Sequence, residues 1–155
     1  MIFHLQTPPF DPPFYNDYVA LSEAAFGHPV SDKWNHAVKW RLETMPDLTI
    51  FLARSDNQLI GYKVGYATAY NRYYSWMGAV HPDFRRQGIA RKLMEMQHQW
   101  IDTTRFELLE TQVAKSNVAM IKLNGEAGLK TSGLKVSKTG EPYLIMEKWL
   151  GEDST

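Results

Sequence analysis

The amino-acid sequence predicts an α/β (α+β) domain: a mixed, mostly antiparallel central sheet of about seven strands flanked by helices. Three observations carry this expectation. Segments rich in β-formers alternate with segments of helical period, in the order β-α-α-β-β-β-α-β-α-β-β. One strand–helix–strand unit stands mid-chain, and such a unit makes a parallel pair with a right-handed crossover. Most other strands follow one another through short turns, which favours antiparallel hairpins. The chain has 155 residues, of which 44 % are hydrophobic and 22 % charged. A chain of this length buries roughly two thirds of its unfolded surface in one core. Nothing in it reads as a linker, so residues 1–150 are expected to form a single domain, with a polar tail at 151–155.

The elements follow in order. Residues 2–6 (IFHLQ) read as a strand. Asp11 then caps a helix whose first turn holds Pro12 and Pro13. Phe14, Tyr18, Leu21 and Ala25 recur along one face of it, and Gly27 closes it. Ser31 or Asp32 caps a second helix, which Pro46 ends. Residues 48–54 and 59–70 flank the turn Ser55–Gln58 as a hairpin, and 73–80 is another strand. A helix over 88–102 carries Ile89, Leu93, Met96 and Trp100 on one face. Residues 106–113 return to strand, 117–126 form a short helix stopped at Gly128, and 130–137 and 143–149 are the last two strands.

Composition excludes several function classes. Lys+Arg and Asp+Glu number 17 each, so the net charge is zero, which argues against a nucleic-acid partner. There are no cysteines, hence no disulfide, no Cys-rich zinc site and no thiol nucleophile. The five histidines (4, 28, 36, 81, 98) include no His-x-x-x-His pair, so no metal is expected. No serine sits in a Gly-x-Ser-x-Gly elbow. No apolar run approaches the ~20 residues of a membrane span. The N-terminal residues lack a signal-peptide pattern, and a cytoplasmic setting is expected.

The most informative stretch runs from Val80 through His81, Pro82, Asp83, Phe84, Arg85, Arg86, Gln87, Gly88 and Ile89 to Ala90. A strand ends at Val80 and a helix begins near Gly88. The first free N–H groups of a helix and its positive dipole end attract anions. Gly88 and Ala90 keep the approach to that backbone clear, and Arg85, Arg86 and Arg91 supply charge for phosphates. No Gly-Lys-Ser/Thr follows, so this is not a Walker loop, and the glycine triplet of a dinucleotide fingerprint is missing.

The segment resembles the acyl-CoA-binding motif of the GNAT superfamily of acetyltransferases, Arg/Gln-x-x-Gly-x-Gly/Ala after a strand ending in Val-x-Pro. Arg85, Gly88 and Ala90 fill the motif, and Val80 and Pro82 match the strand end. A downstream pattern of the family, Asn-x-x-Ala-x-x-Leu-Tyr-x-x-x-Gly-Phe, is matched in spacing by Asn117, Met120, Leu123, Asn124, Gly128 and Leu129. The resemblance implies that the strand ending at Val80 and the strand over 106–113 start parallel and splay apart. The pantetheine arm of acetyl-CoA would lie in that gap, against the backbone of Met77 to Val80, with Ala79 and Val80 as the main contacts. The pyrophosphate would rest on the amides of Arg85, Arg86, Gln87, Gly88, Ile89 and Ala90, with Arg91 beside them. Asn117 would approach the pantetheine or cap its helix.

The implied reaction is attack of a primary amine on the thioester, with acetyl-CoA as co-substrate. It requires a neutral amine, a polarised carbonyl and a proton for the leaving thiolate. The family's usual tyrosine acid is here Asn124, which can donate a hydrogen bond but not deliver a proton at neutral pH. Asn124 would orient the thiolate while water, Tyr73 or Tyr143 supplies the proton. Glu110 is the first candidate base, being a carboxylate among apolar neighbours; its alternative is a solvent-facing or lysine-paired strand residue. His81 has a suitable intrinsic pKa but falls in the turn. The acceptor pocket is expected from the first two helices, the strand 59–75 and the C-terminal hairpin, whose aromatics include Phe26, Trp34, Tyr66, Tyr74 and Trp76. Exposed aromatics and C-terminal strands would suit a homodimer. The rival from another class is an acyl-CoA-binding or sensing module that keeps the fold and has lost turnover.

Overall fold

A computed structural model describes residues 1–151. The expected tail at 151–155 therefore lies outside the described residues apart from Gly151. The elements are β1 (Ile2–Gln6), α1 (Pro12–Phe26), α2 (Asp32–Thr44), β2 (Thr49–Ser55), β3 (Gln58–Ala69), β4 (Arg72–Val80), α3 (Ile89–Ile101), β5 (Leu108–Ala114), α4 (Val118–Glu126), β6 (Lys130–Val136) and β7 (Pro142–Trp149). Seven strands form one sheet in the order β1-β2-β3-β4-β5-β7-β6. Only β4 and β5 run parallel; the other neighbours are antiparallel. The predicted fold class is the observed one.

Local chemistry sets the boundaries. Asp11 Oδ1 accepts from the Phe14 amide at 3.0 Å and starts α1, and Ser31 Oγ accepts from the Trp34 amide at 3.0 Å and starts α2. Two segments differ from expectation. Between β4 and α3, Pro82–Phe84 form a 3-10 turn, because His81 Nδ1 accepts from the Asp83 amide at 3.1 Å. The strand expected from Phe106 begins at Leu108. Phe106 instead packs against Tyr73 and Trp100, while the Glu107 amide donates to the Asn71 carbonyl at 2.8 Å.

The helices cover both faces. Phe14, Tyr18 and Leu21 of α1 and Val38 and Leu42 of α2 pack on Ile50, Leu52, Tyr62 and Val64. On the other face, Ile89 and Leu93 of α3 pack on Phe51, Ala53 and Ile60. A third cluster joins Ile101, Leu109, Val113 and Met146, with Met120 and Ile121 of α4 against it. β2 is thus buried on both sides, as its continuous apolar run requires. Among the described residues, no helix is long and apolar enough to cross a membrane. Nor does any group of three or more His, Asp or Glu in that span gather as metal ligands.

Candidate functional site

The site begins where two parallel strands part. β4 and β5 pair only over Arg72–Ser75 and Leu108–Thr111. At that point Gly65 pairs with Ser75 while Val64 pairs with Met77, so Trp76 is an extra residue in β4. Such a bulge bends its strand, and β4 leaves β5 there. Thr111 Oγ1 donates to the Ser75 carbonyl at 2.8 Å and fixes the last joined rung. Beyond it, the β4 edge from Trp76 to Val80 has no strand partner on the β5 side.

A cavity of about 580 Å³ occupies the gap. Gly78, Ala79 and Val80 of β4 form one wall, and Ala90, Leu93 and Met94 of α3 another. Asn117, Ala119 and Met120 close it from α4, Phe26 from α1, and Lys63 reaches it from β3. It runs into a second cavity of about 340 Å³ at the start of α3, which shares Val80, Arg85, Ala90 and Ala119 with the first.

That second cavity has the features of an anion cradle. Arg86 and Gly88 adopt left-handed backbone, with φ of 63° and 76°. Gly88 is the N-cap of α3 and makes no side-chain cap, which leaves the first amides of the helix free of an internal acceptor. A Cβ at Gly88 would have nothing within 4 Å. Glycine is therefore favoured there by its positive φ rather than by crowding, and without a side chain it leaves that open space clear for a ligand. Ile89 is only 2 % exposed and packs in the core, so it offers the site its amide alone. Gln87 is exposed.

The arginines divide into two groups. Arg85 Nη2 donates to the Ala25 carbonyl at the end of α1 at 3.0 Å. Arg91 Nη2 pairs with Glu126 Oε2 at 2.6 Å, bridging α3 and α4. Arg86 and Lys92 have no ion-pair partner among the described residues.

The other expected site residues fall in three places. Asn117 caps its helix, its Oδ1 accepting from the Met120 amide at 3.2 Å, and it also lines the groove. Glu110 lies on the α1/α2 side of the sheet, in register with Tyr74 and Glu147; burial pushes the Tyr74 phenol pKa up to about 12, with the Glu110 charge a minor addition. Tyr66 and Trp76 stand on the same side, with the Arg41 guanidinium 4.8 Å from the Trp76 ring centre. Asn124 lines neither cavity. It is 3 % exposed, its Nδ2 donates to Met146 Sδ at 3.7 Å, and its carbonyl accepts from the Leu129 amide. Neither Tyr73 nor Tyr143 lines the groove. Tyr73 is fully buried, bonded to Thr49, and its pKa is raised by burial; Tyr143 bonds to Glu141. His81 serves as a cap.

Sequence reasoning missed Lys63. Burial pushes its pKa down to about 8, with no carboxylate among the described residues paired to it. The available signal was a lone charge in the apolar run LIGYKVGYATAY, a strand now seen to lie between two others.

A model of the GNAT acetyltransferase family matches residues 13–128. The chain belongs to this family. A search of curated proteins gives no significant match. Among solved structures, the ribosomal-protein-S18-alanine N-acetyltransferase of Escherichia coli superposes with a TM-score of 0.80 at 16 % identity, over 99 % of each chain. An aminoglycoside 6'-N-acetyltransferase complexed with coenzyme A gives 0.80 at 11 % identity, over 100 % of each. A GNAT acetyltransferase from Elizabethkingia anophelis with acetyl-CoA bound gives 0.71 at 16 %, over 96 % of this chain and 97 % of that one. At such identities the likeness is one of fold. The splayed pair and the cradle at α3 are where GNAT membership directs attention.

Proposed function

We propose that the protein is an N-acetyltransferase that moves an acetyl group from acetyl-CoA to a primary amine by direct attack. The observation that carries this is the parting of β4 from β5 after Ser75 and Thr111, which opens a groove leading to the start of α3. The residues present fit acyl-CoA. The groove is apolar where a pantetheine arm would lie, and its β4 edge offers unpaired backbone groups. The cradle has free amides, two left-handed residues and the unpaired Arg86 for a pyrophosphate.

In this reading acetyl-CoA supplies the activated acyl group, and the chain positions it. Amides of β4 hold the arm, and those of Gln87 to Ala90 hold the phosphates. The amine approaches from the α1/α2 side, where Glu110 is the candidate to take its proton, directly or through water. Asn124 is occupied by Met146, so the thiolate proton is assigned to water. The exposed edge strand β6 supports a homodimer as part of the same proposal.

The second reading, an acyl-CoA-binding module without turnover, is favoured by one observation: among the described residues, no carboxylate or histidine lines the larger of these two cavities. The test joins calorimetry with CoA to release of free CoA thiol across a panel of peptides, polyamines and amino acids. Turnover well above hydrolysis with any amine supports the transferase. Binding without turnover supports the module, and no CoA binding refutes both.

A further inference from the structure

Lys63 lies on the α3/α4 side of β3, directly opposite Gly78 of β4. Gly78 has no side chain to cover it, and a Cβ built there would stand 4.0 Å from Lys63 Cγ. The lysine therefore passes over β4 into the groove beside Ala79 and Val80. It is the one lysine lining that cavity, and neither a carboxylate nor a hydrogen-bond acceptor in the described residues holds it there. A half-buried amine without a counter-charge, facing a groove lined mostly by apolar side chains, is an unusual thing for a fold to keep.

Resting on acyl-CoA occupying this groove, we propose that Lys63 is a self-acetylation site of the enzyme. The amine Nζ attacks the acetyl carbonyl of bound acetyl-CoA. The N–C bond forms, the C–S bond breaks with its electron pair going to sulfur, and the amine proton passes through water to the thiolate. The products are acetyl-Lys63 and free CoA. The groove sets the local concentration of the thioester, which is the condition under which a modest nucleophile reacts. Burial supplies the other condition, since it favours the neutral, nucleophilic amine. The acetylated side chain loses its charge and adds bulk within the pantetheine channel, so the reaction would switch the enzyme down when acetyl-CoA is abundant and acceptor scarce.

The test incubates the purified protein with acetyl-CoA and no amine, locates acetyl groups by tandem mass spectrometry, and measures CoA binding by calorimetry in parallel. One acetyl group on Lys63 is expected. Its rate should not change on about tenfold dilution of the protein, should saturate with acetyl-CoA, and should fall about tenfold under excess CoA. Lys63→Arg should abolish labelling at this position, and Lys63→Gln, which imitates the acetylated state, should lower amine turnover about tenfold. If either variant fails to fold, the dilution and competition tests on the unaltered protein decide. CoA binding with Lys63 unlabelled overturns the inference and leaves the transferase intact. So does labelling that scales with protein concentration or ignores excess CoA. Absence of CoA binding overturns both.

Discussion

The strands β1 to β4 are covered by helices on both faces, whereas β5, β7 and β6 are covered mainly on one. In the first half, Ile50 and Leu52 face α1 and α2 while Phe51 and Ala53 face α3. In the second, Leu109, Val113 and Met146 are buried with α4, but Glu110, Gln112, Ile145 and Glu147 on the opposite face belong to none of the buried clusters. β6 is exposed along nearly its whole length. The seam between a firmly packed half and a thinly covered one is where β4 and β5 part. On the proposed function, the packed half would hold acetyl-CoA in fixed geometry, and the half-covered face beside Glu110 would leave an approach for the acceptor.

The difference can be broken or sharpened by experiment. Leu52→Ala, at a site with no solvent exposure, is expected to cost about 4 kcal/mol in denaturant unfolding. A cost below about 1 kcal/mol would mean the first half is loosely packed after all. At the seam, Gly88→Glu should weaken CoA binding by at least about a hundredfold, roughly 3 kcal/mol, by placing a negative side chain in the cradle and straining a left-handed residue. Calorimetry giving near-unchanged affinity would move the phosphate site elsewhere.

His98 feels both halves: burial and the charges of Lys148 of β7 and Lys63 of β3 push its pKa down to about 4, against an opposing effect of Asp102. The folded value lies below the unfolded one of 6.5, so the unfolded chain takes up the proton first. Stability is full above pH 6.5 and is lost as the pH falls toward 4, by about 2 kcal/mol once screening of the half-buried ring is allowed for. His98→Gln should flatten that slope in thermal melts across this window. On the bare face, Glu110→Gln should lower turnover about tenfold with CoA affinity kept, and Asn124→Ala should lower turnover less. The reverse order would make Asn124 the critical group. The smallest effect belongs to Leu134→Ala in β6, whose side chain is 59 % exposed: under about 0.5 kcal/mol in the monomer. A larger, concentration-dependent loss would reveal a dimer built on β6.

The parts legible in the sequence were those set by local chemistry. Asp11, Ser31 and Asn117 cap helices where their spacing to the following apolar face required it. The strand–turn–helix around Arg85 to Ala90 could be read because Gly88 marks one of its left-handed positions, whereas nothing in the sequence marked Arg86 as the other. Less legible were features set across the fold. That β7 inserts between β5 and β6 depends on long-range pairing. That Arg85 bonds to α1 and Arg91 pairs with Glu126 depends on where the helices dock, so Arg91 carries a paired charge while Arg85, held only by a carbonyl, keeps its charge at the mouth of both cavities. Asn124 occupied the position of a family tyrosine, yet its short side chain stays inside, against Met146. Lys63 went unnoticed because alternation in a strand normally sends a lysine to water, and only the neighbouring strand shows that this one meets the groove.

The Thr111 hydroxyl on the Ser75 carbonyl works like the last stitch of a seam. It sets how far the two strands are sewn and hence where the groove ends. Each residue of seam is worth about 3.3 Å of depth, comparable to the length of a few methylene groups. If acyl-CoA lies in the groove as proposed, moving the stitch by two residues along β5, the step that keeps a side chain on the same face, would change the length of acyl group the groove admits. On that proposal, discrimination between a two-carbon acyl group and a longer one belongs to the wall of the groove rather than to the cradle at α3.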